Sequence, residues 1–139
     1  MSYFDEELEK ELSDSNINFE KLKSEAHVNF VLNINKAFPF SGSKIAWGSF
    51  PNSLSYIRND ADQAFMDITN KITDLNISEI IFIGDSLTEN AYKISAVNLE
   101  KTLSLFSEIP QHTYFFSGDL GIIGCISSEG EINFCETPS

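Results

Sequence analysis

The stretch "HTYFFSGDLGIIGCISSEGEINFC", residues 112–135, holds three short runs rich in β-branched and aromatic residues, broken by Ser117-Gly118-Asp119 and by Ser127-Ser128-Glu129-Gly130. Short polar, glycine-bearing breaks between such runs are turns, so the stretch predicts a meander of antiparallel strands. Upstream, "EIIFIGDSLTEN", residues 79–90, opens with Ile80-Ile81-Phe82-Ile83 before Gly84. An unbroken apolar run of that length predicts a strand buried on both faces. "NAYKIS", residues 90–95, is its expected neighbour.

Helical spacing fills the gaps between these strands. Ala61, Ala64, Phe65, Ile68, Ile72 and Leu75 make the clearest 3.6-residue stripe, with Asn59 or Asp60 as its cap. A second helix starts at Ser95, carries Ala96, Leu99, Leu103 and Phe106, and stops at Pro110. Near the start, Phe4, Leu8 and Leu12 put one apolar face on a short acidic helix. From Phe19, the positions Leu22, Ala26, Phe30, Ile34 and Ala37 predict a long helix ending before Pro39, although Val28, Phe30, Leu32 and Ile34 also alternate as a strand would. "PFSGSK" reads as a turn and "KIAWGSF" as a strand closed by Pro51-Asn52. The expected class is α+β: one domain with a mixed, mostly antiparallel sheet of five or six strands packed with helices, α/β being the alternative if parallel neighbours occur.

With 139 residues, 42% of them hydrophobic and twelve Phe, the chain can build one domain core. No apolar run approaches the ~18 residues of a membrane span. The acidic start, Met-Ser-Tyr-Phe-Asp-Glu-Glu, is unlike a secretory signal, so a cytoplasmic location with reduced cysteines is expected. Net charge is −12, from 21 acids and 9 bases. Residues 1–25 hold 8 acids against 3 bases, residues 26–78 hold 4 against 4, and residues 79–139 hold 9 against 2. Beyond Lys101 there is no Lys or Arg. Such a field repels nucleic acid and anionic membrane and speeds encounter with a basic protein.

Gly84-Asp85-Ser86-Leu87 after an apolar strand resembles the first block of the GDSL (SGNH) esterases and lipases. That resemblance implies a Ser86 nucleophile, with a glycine and an asparagine further on and an Asp-x-x-His near the C-terminus. Here the two histidines, His27 and His112, have Ser24 and Ile109 three positions earlier. Asn59-Asp60 precedes the serine and lacks the glycine. The serine therefore reads first as a turn residue, Gly84 ending the strand and Leu87 returning to the core. A spatial approach of His112 to Ser86 would keep the esterase alternative alive.

No metal or cofactor is expected. Cys125 and Cys135 lack zinc spacing, and a two-residue turn at Glu129-Gly130 would set Cys125 opposite Phe134 with the two thiols on opposite faces. Asp60-Ala61-Asp62 continues as a helix start, without the glycine and glutamate of a calcium loop. Gly118, Gly121 and Gly124 lie among strands, where turns and bulges use them better than phosphate does. Trp47 and Phe50 read as a half-buried strand, with an exposed aromatic anchor as the other option.

Size, acidity, element order and the ending "HTYFFSGDLGIIGCISSEGEINFC" together resemble the immunity proteins of contact-dependent growth inhibition systems, the CdiI type. The resemblance implies a one-to-one complex with the C-terminal domain of a cognate toxin, often a DNase or RNase, and no nucleic-acid, membrane or small-molecule partner. Expected toxin-binding residues are Asp119, Glu129 and Glu131, then Asp85 and Glu89. Asp5, Glu6, Glu7, Glu9 and Glu11 read as a wet helix face. An acidic adaptor or nucleic-acid mimic is the remaining class.

Overall fold

The strand predicted at 79–84 is the third of seven in one sheet. The computed structural model describes residues 3–22, 24–37, 40–41, 44–45, 53–84 and 87–136. In chain order the elements are α1 (Tyr3–Asp14), β1 (Phe19–Leu22), α2 (Ser24–Ala37), β2 (Phe40–Ser41), β3 (Lys44–Ile45), β4 (Leu54–Ile57), α3 (Ala61–Asp74), β5 (Glu79–Gly84), β6 (Ala91–Ser95), α4 (Leu99–Ser107), β7 (Thr113–Phe116), β8 (Ile122–Ile126) and β9 (Glu131–Glu136). The large sheet runs β1-β6-β5-β7-β8-β9-β4, and β2 and β3 form a separate pair. Every strand pairing among the described residues is antiparallel, so the class is α+β and the α/β alternative falls away.

Two edge strands raise the expected five or six to seven. Residues 19–22, expected to open a long helix, pair instead with β6, Phe19 opposite Ile94 and Leu22 opposite Ala91. Helix α2 begins only at Ser24 and carries the 28–34 segment, which settles its ambiguity in favour of helix. The other edge, β4, follows the expected turn at 51–52 and pairs with β9. Residues 46–52, including Trp47 and Phe50, lie outside the described residues.

Each strand sends alternate side chains to two cores. Ile80 and Phe82 of β5 join Tyr92, Phe115 and Phe134 beneath α1, α3 and α4, the helices contributing Leu8, Leu12, Ile68, Ile72, Leu103 and Phe106. Ile81 and Ile83 join Phe116, Ile123 and Cys135 on the opposite face, where α2 lays down Phe30 and Ile34. Four aromatic rings knit the larger core: Phe82 stacks on Phe106 at 4.3 Å and lies 6.0 Å from Phe115, which stacks toward Phe134 at 6.3 Å. No helix among the described residues is long and apolar enough to cross a membrane.

The register of the last hairpin differs by one residue from the expected one. Cys125 faces Asn133, and Gly124 faces Phe134, because Ser127 to Gly130 make a four-residue turn in which Ser127 N–H donates to the Glu131 carbonyl. A shift of one residue reverses faces. Cys125 and Cys135 therefore point to the same side of the sheet, not to opposite sides. Both are buried and neither forms a disulfide, and burial pushes the Cys135 thiol up to about 11, which keeps it protonated and unreactive at neutral pH.

Candidate functional site

Strand β5 ends at Gly84 and the chain is described again from Leu87, so Asp85 and Ser86 lie outside the described residues. Three side chains from three distant parts of the chain hold the segment that leads into β6.

Gln111 reaches from the segment after α4. Its Oε1 accepts the N–H groups of Leu87 at 2.8 Å and Thr88 at 3.1 Å, while its Nε2 donates to the Thr88 hydroxyl at 2.9 Å. Asp5 reaches from the first turn of α1. Its carboxylate accepts the N–H groups of Glu89 at 2.7 Å and Asn90 at 3.2 Å and the Tyr92 hydroxyl at 2.6 Å. His27 reaches from α2, Nδ1 lying 3.0 Å from the Glu89 carbonyl and Nε2 3.1 Å from the Gly84 carbonyl. Carbonyl oxygens only accept, so both contacts are hydrogen bonds when both ring nitrogens carry a proton.

Asp5 is fully buried and so does not belong to the wet helix face assigned to it. Its spacing carried the signal: positions 5, 8 and 12 form one stripe, so an acid there is aimed at the core side with Leu8 and Leu12. Its partner Tyr92 is held neutral, burial first and the Asp5 hydrogen bond second pushing its ionisation far upward. Gly84 is equally local in its logic. A Cβ there would collide with the Gln111 amide and the Thr88 hydroxyl, so this glycine makes room for the loop's own fastening. Gln111→Ala is expected to cost about 2–3 kcal/mol, because two N–H groups and a buried hydroxyl lose partners together. A urea titration returning less than ~1 kcal/mol would mean water replaces the amide.

A serine nucleophile requires a histidine with one nitrogen toward the hydroxyl and the other toward an acid. Both nitrogens of His27 face backbone carbonyls. Nδ1 of His112 accepts the Ser128 N–H at 3.1 Å, which puts the neutral ring's proton on Nε2 and makes that atom a donor.

Strand register sorts the acids into two ends. Gly84 pairs with Thr113, Thr113 with Ile126, Ile126 with Ile132, and Ile57 with Glu131, so these residues line one end of the sheet. Glu89, Glu129 and Glu131 all belong there and are exposed. Glu108, at the end of α4, and Glu7, on α1 near the Asp5 anchor, stand at the same end; Glu108 is outside the set expected to bind toxin, and Glu7 was expected on a wet helix face. Arg58 lies against Gly130 at this end. Three lysines elsewhere are engaged with acids: Lys21 with Glu9 at 3.4 Å, Lys71 with Glu136 at 3.2 Å and Lys93 with Glu20 at 3.5 Å.

Asp119 does not join this group. It sits in the β7–β8 turn at the opposite end, about 15 Å away along five strand residues. There its Oδ1 accepts from the Ser117 hydroxyl at 2.7 Å and the Gly121 N–H at 2.9 Å, which hold the carboxyl below its ordinary range. It closes a turn in which Leu120 has φ of 57°. Beside it, an open groove of about 760 Å³ runs between α2 and the sheet, with Leu22, Phe30 and Ile81 as walls. Three of the polar side chains there already serve the fold, Ser117 and Asp119 in the turn and Lys93 on Glu20. Among the described residues no group of three His, Cys, Asp or Glu is placed to hold a metal ion. Comparison of the chain with protein-family models, curated proteins and solved structures gives no match.

Proposed function

We propose that the chain is an immunity protein that neutralises a basic toxin domain in the cytoplasm, docking through the Gly84 end of its sheet. The carrying observation is the gathering of Glu7, Glu89, Glu108, Glu129 and Glu131 at that end, while three lysines elsewhere, Lys21, Lys71 and Lys93, are paired with acids of their own. Carboxylates in that number attract Lys and Arg that would otherwise grip phosphate, and they set encounter rate and partner choice more than final affinity. The fastening of residues 87–90 by Asp5, Gln111 and His27 also favours this role, since a surface held in one shape loses little entropy on binding. A stable complex of this kind buries about 1,200–2,000 Å².

The test takes as candidate a toxin domain whose gene adjoins this one and expresses it in a susceptible bacterium. Co-expression of this chain restores growth, and a chain that gives no protection is not its immunity protein. In vitro, Glu89→Lys, Glu129→Lys and Glu131→Lys together slow association at low salt by about 10-fold or more, whereas Asp119→Lys changes it by less than about 3-fold. The opposite ranking would move the docking face to the other end of the sheet. Association with the unaltered chain slows as salt rises, and a rate indifferent to ionic strength would exclude charge steering.

A further inference from the structure

We infer that the groove between α1 and α4 receives an arginine side chain presented by the protein partner, an inference that rests on the basic-partner reading and specifies one of its contacts. Tyr3 and Phe4 form one wall, their rings edge to face at 5.4 Å, and Tyr3 is 67% exposed. Leu8, Leu105 and Ile109 make the floor. Glu7, Glu11 and Glu108 stand at the rim, and none of the three forms an ion pair among the described residues.

Size, polarity and charge each narrow the occupant. The groove holds about 190 Å³. That is below the ~300 Å³ at which small-molecule pockets begin, so it has room for a single side chain. Glu7 and Glu11, four apart on one helix, repel each other, and Glu108 adds a third negative charge across the groove. A cation entering between them relieves that repulsion. Exposed aromatic faces beside carboxylates favour guanidinium over ammonium, because guanidinium is planar, more weakly hydrated, stacks on rings and forks onto carboxylates. The apolar floor suits the methylene stem of the same side chain. Nucleic acid is the wrong sign, and a free amine would leave the apolar floor uncovered.

The test is an NMR titration of the full chain with a capped pentapeptide, Ala-Leu-Arg-Leu-Ala, and with versions carrying Lys or the neutral isostere citrulline in place of Arg. Binding at the groove moves the amide signals of residues 3–8 and 105–111 in a saturating way. It weakens at least fivefold with Lys, disappears with citrulline, and weakens at least fivefold in Glu7→Gln/Glu108→Gln, whose circular dichroism is unchanged. No saturable shift, shifts spread over all acidic surfaces, or equal binding of the Lys peptide would each overturn the assignment. The titration needs no toxin. A positive titration without protection from the toxin therefore removes the immunity reading alone, and a toxin complex indifferent to Glu7→Gln/Glu108→Gln with a blank titration removes the groove alone.

Discussion

Asp5→Ala is expected to destabilise the protein by about 3–5 kcal/mol, a large part of the ~5–15 kcal/mol that holds a domain folded. The carboxylate is fully buried and accepts from Glu89 N–H, Asn90 N–H and the Tyr92 hydroxyl. Alanine leaves the Glu89 and Asn90 N–H groups without their acceptor and leaves the Tyr92 hydroxyl only Glu9, 3.0 Å away, and each buried donor so stranded costs about 1–3 kcal/mol, offset in part where water enters. Asp5→Asn should fall between, since it keeps one oxygen and turns an NH₂ toward a donor. Hydrogen exchange at Glu89 and Asn90 should rise with Asp5→Ala while exchange in β8 and β9 follows only the global loss. An unfolding free energy from urea titration within ~1 kcal/mol of the parent's would mean the acid is wet after all.

Gly124→Val carries the second large effect, about 3 kcal/mol or more, at or beyond the top of the usual overpacking range. Gly124 pairs with Phe115 across β7 and β8, and the Phe115 ring lies where a Cβ at position 124 would stand. That ring has little room to retreat, with Phe82 at 6.0 Å and Phe134 at 6.3 Å beside it. Insertion of a branched side chain must displace the aromatic row or push β8 from the sheet. Thermal and urea unfolding of Gly124→Val read the cost, and a stability equal to the parent would show the row to be loosely packed. Gly124 lies in mid-strand with unbroken register on both sides, not in the turn or bulge expected of it, and its place is explained by this contact, which periodicity alone does not contain.

Local pattern was legible where one face of an element dominates. The stripe from Ala61 to Ile72 became α3, the run Ile80–Ile83 became the doubly buried β5, and residues 112–135 became the β7–β8–β9 meander, because burying those apolar faces outweighs every competing local preference. Residues 19–22 were misread because an edge strand buries little and so leaves a weak pattern, Phe19 and Leu22 being half-buried with Glu20 and Lys21 exposed between them. The hairpin register, and with it the face of Cys125, turned on whether two or four residues closed the 127–130 turn, a choice made by the hydrogen bond from Ser127 to Glu131.

Charge and its crowding toward the two ends of the chain were properties of the amino-acid order alone, as were the helices and strands with one strongly apolar face. Which acids share a surface was decided only by strand register, because antiparallel pairing carries residues distant in sequence to the same sheet end and sent Asp119 to the opposite one. Whether an acid is surface charge or buried fastening was also a tertiary matter. Asp5 and Glu7 stand two apart on one short helix, yet the helix turns the first into the core, to accept three hydrogen bonds, and leaves the second in water.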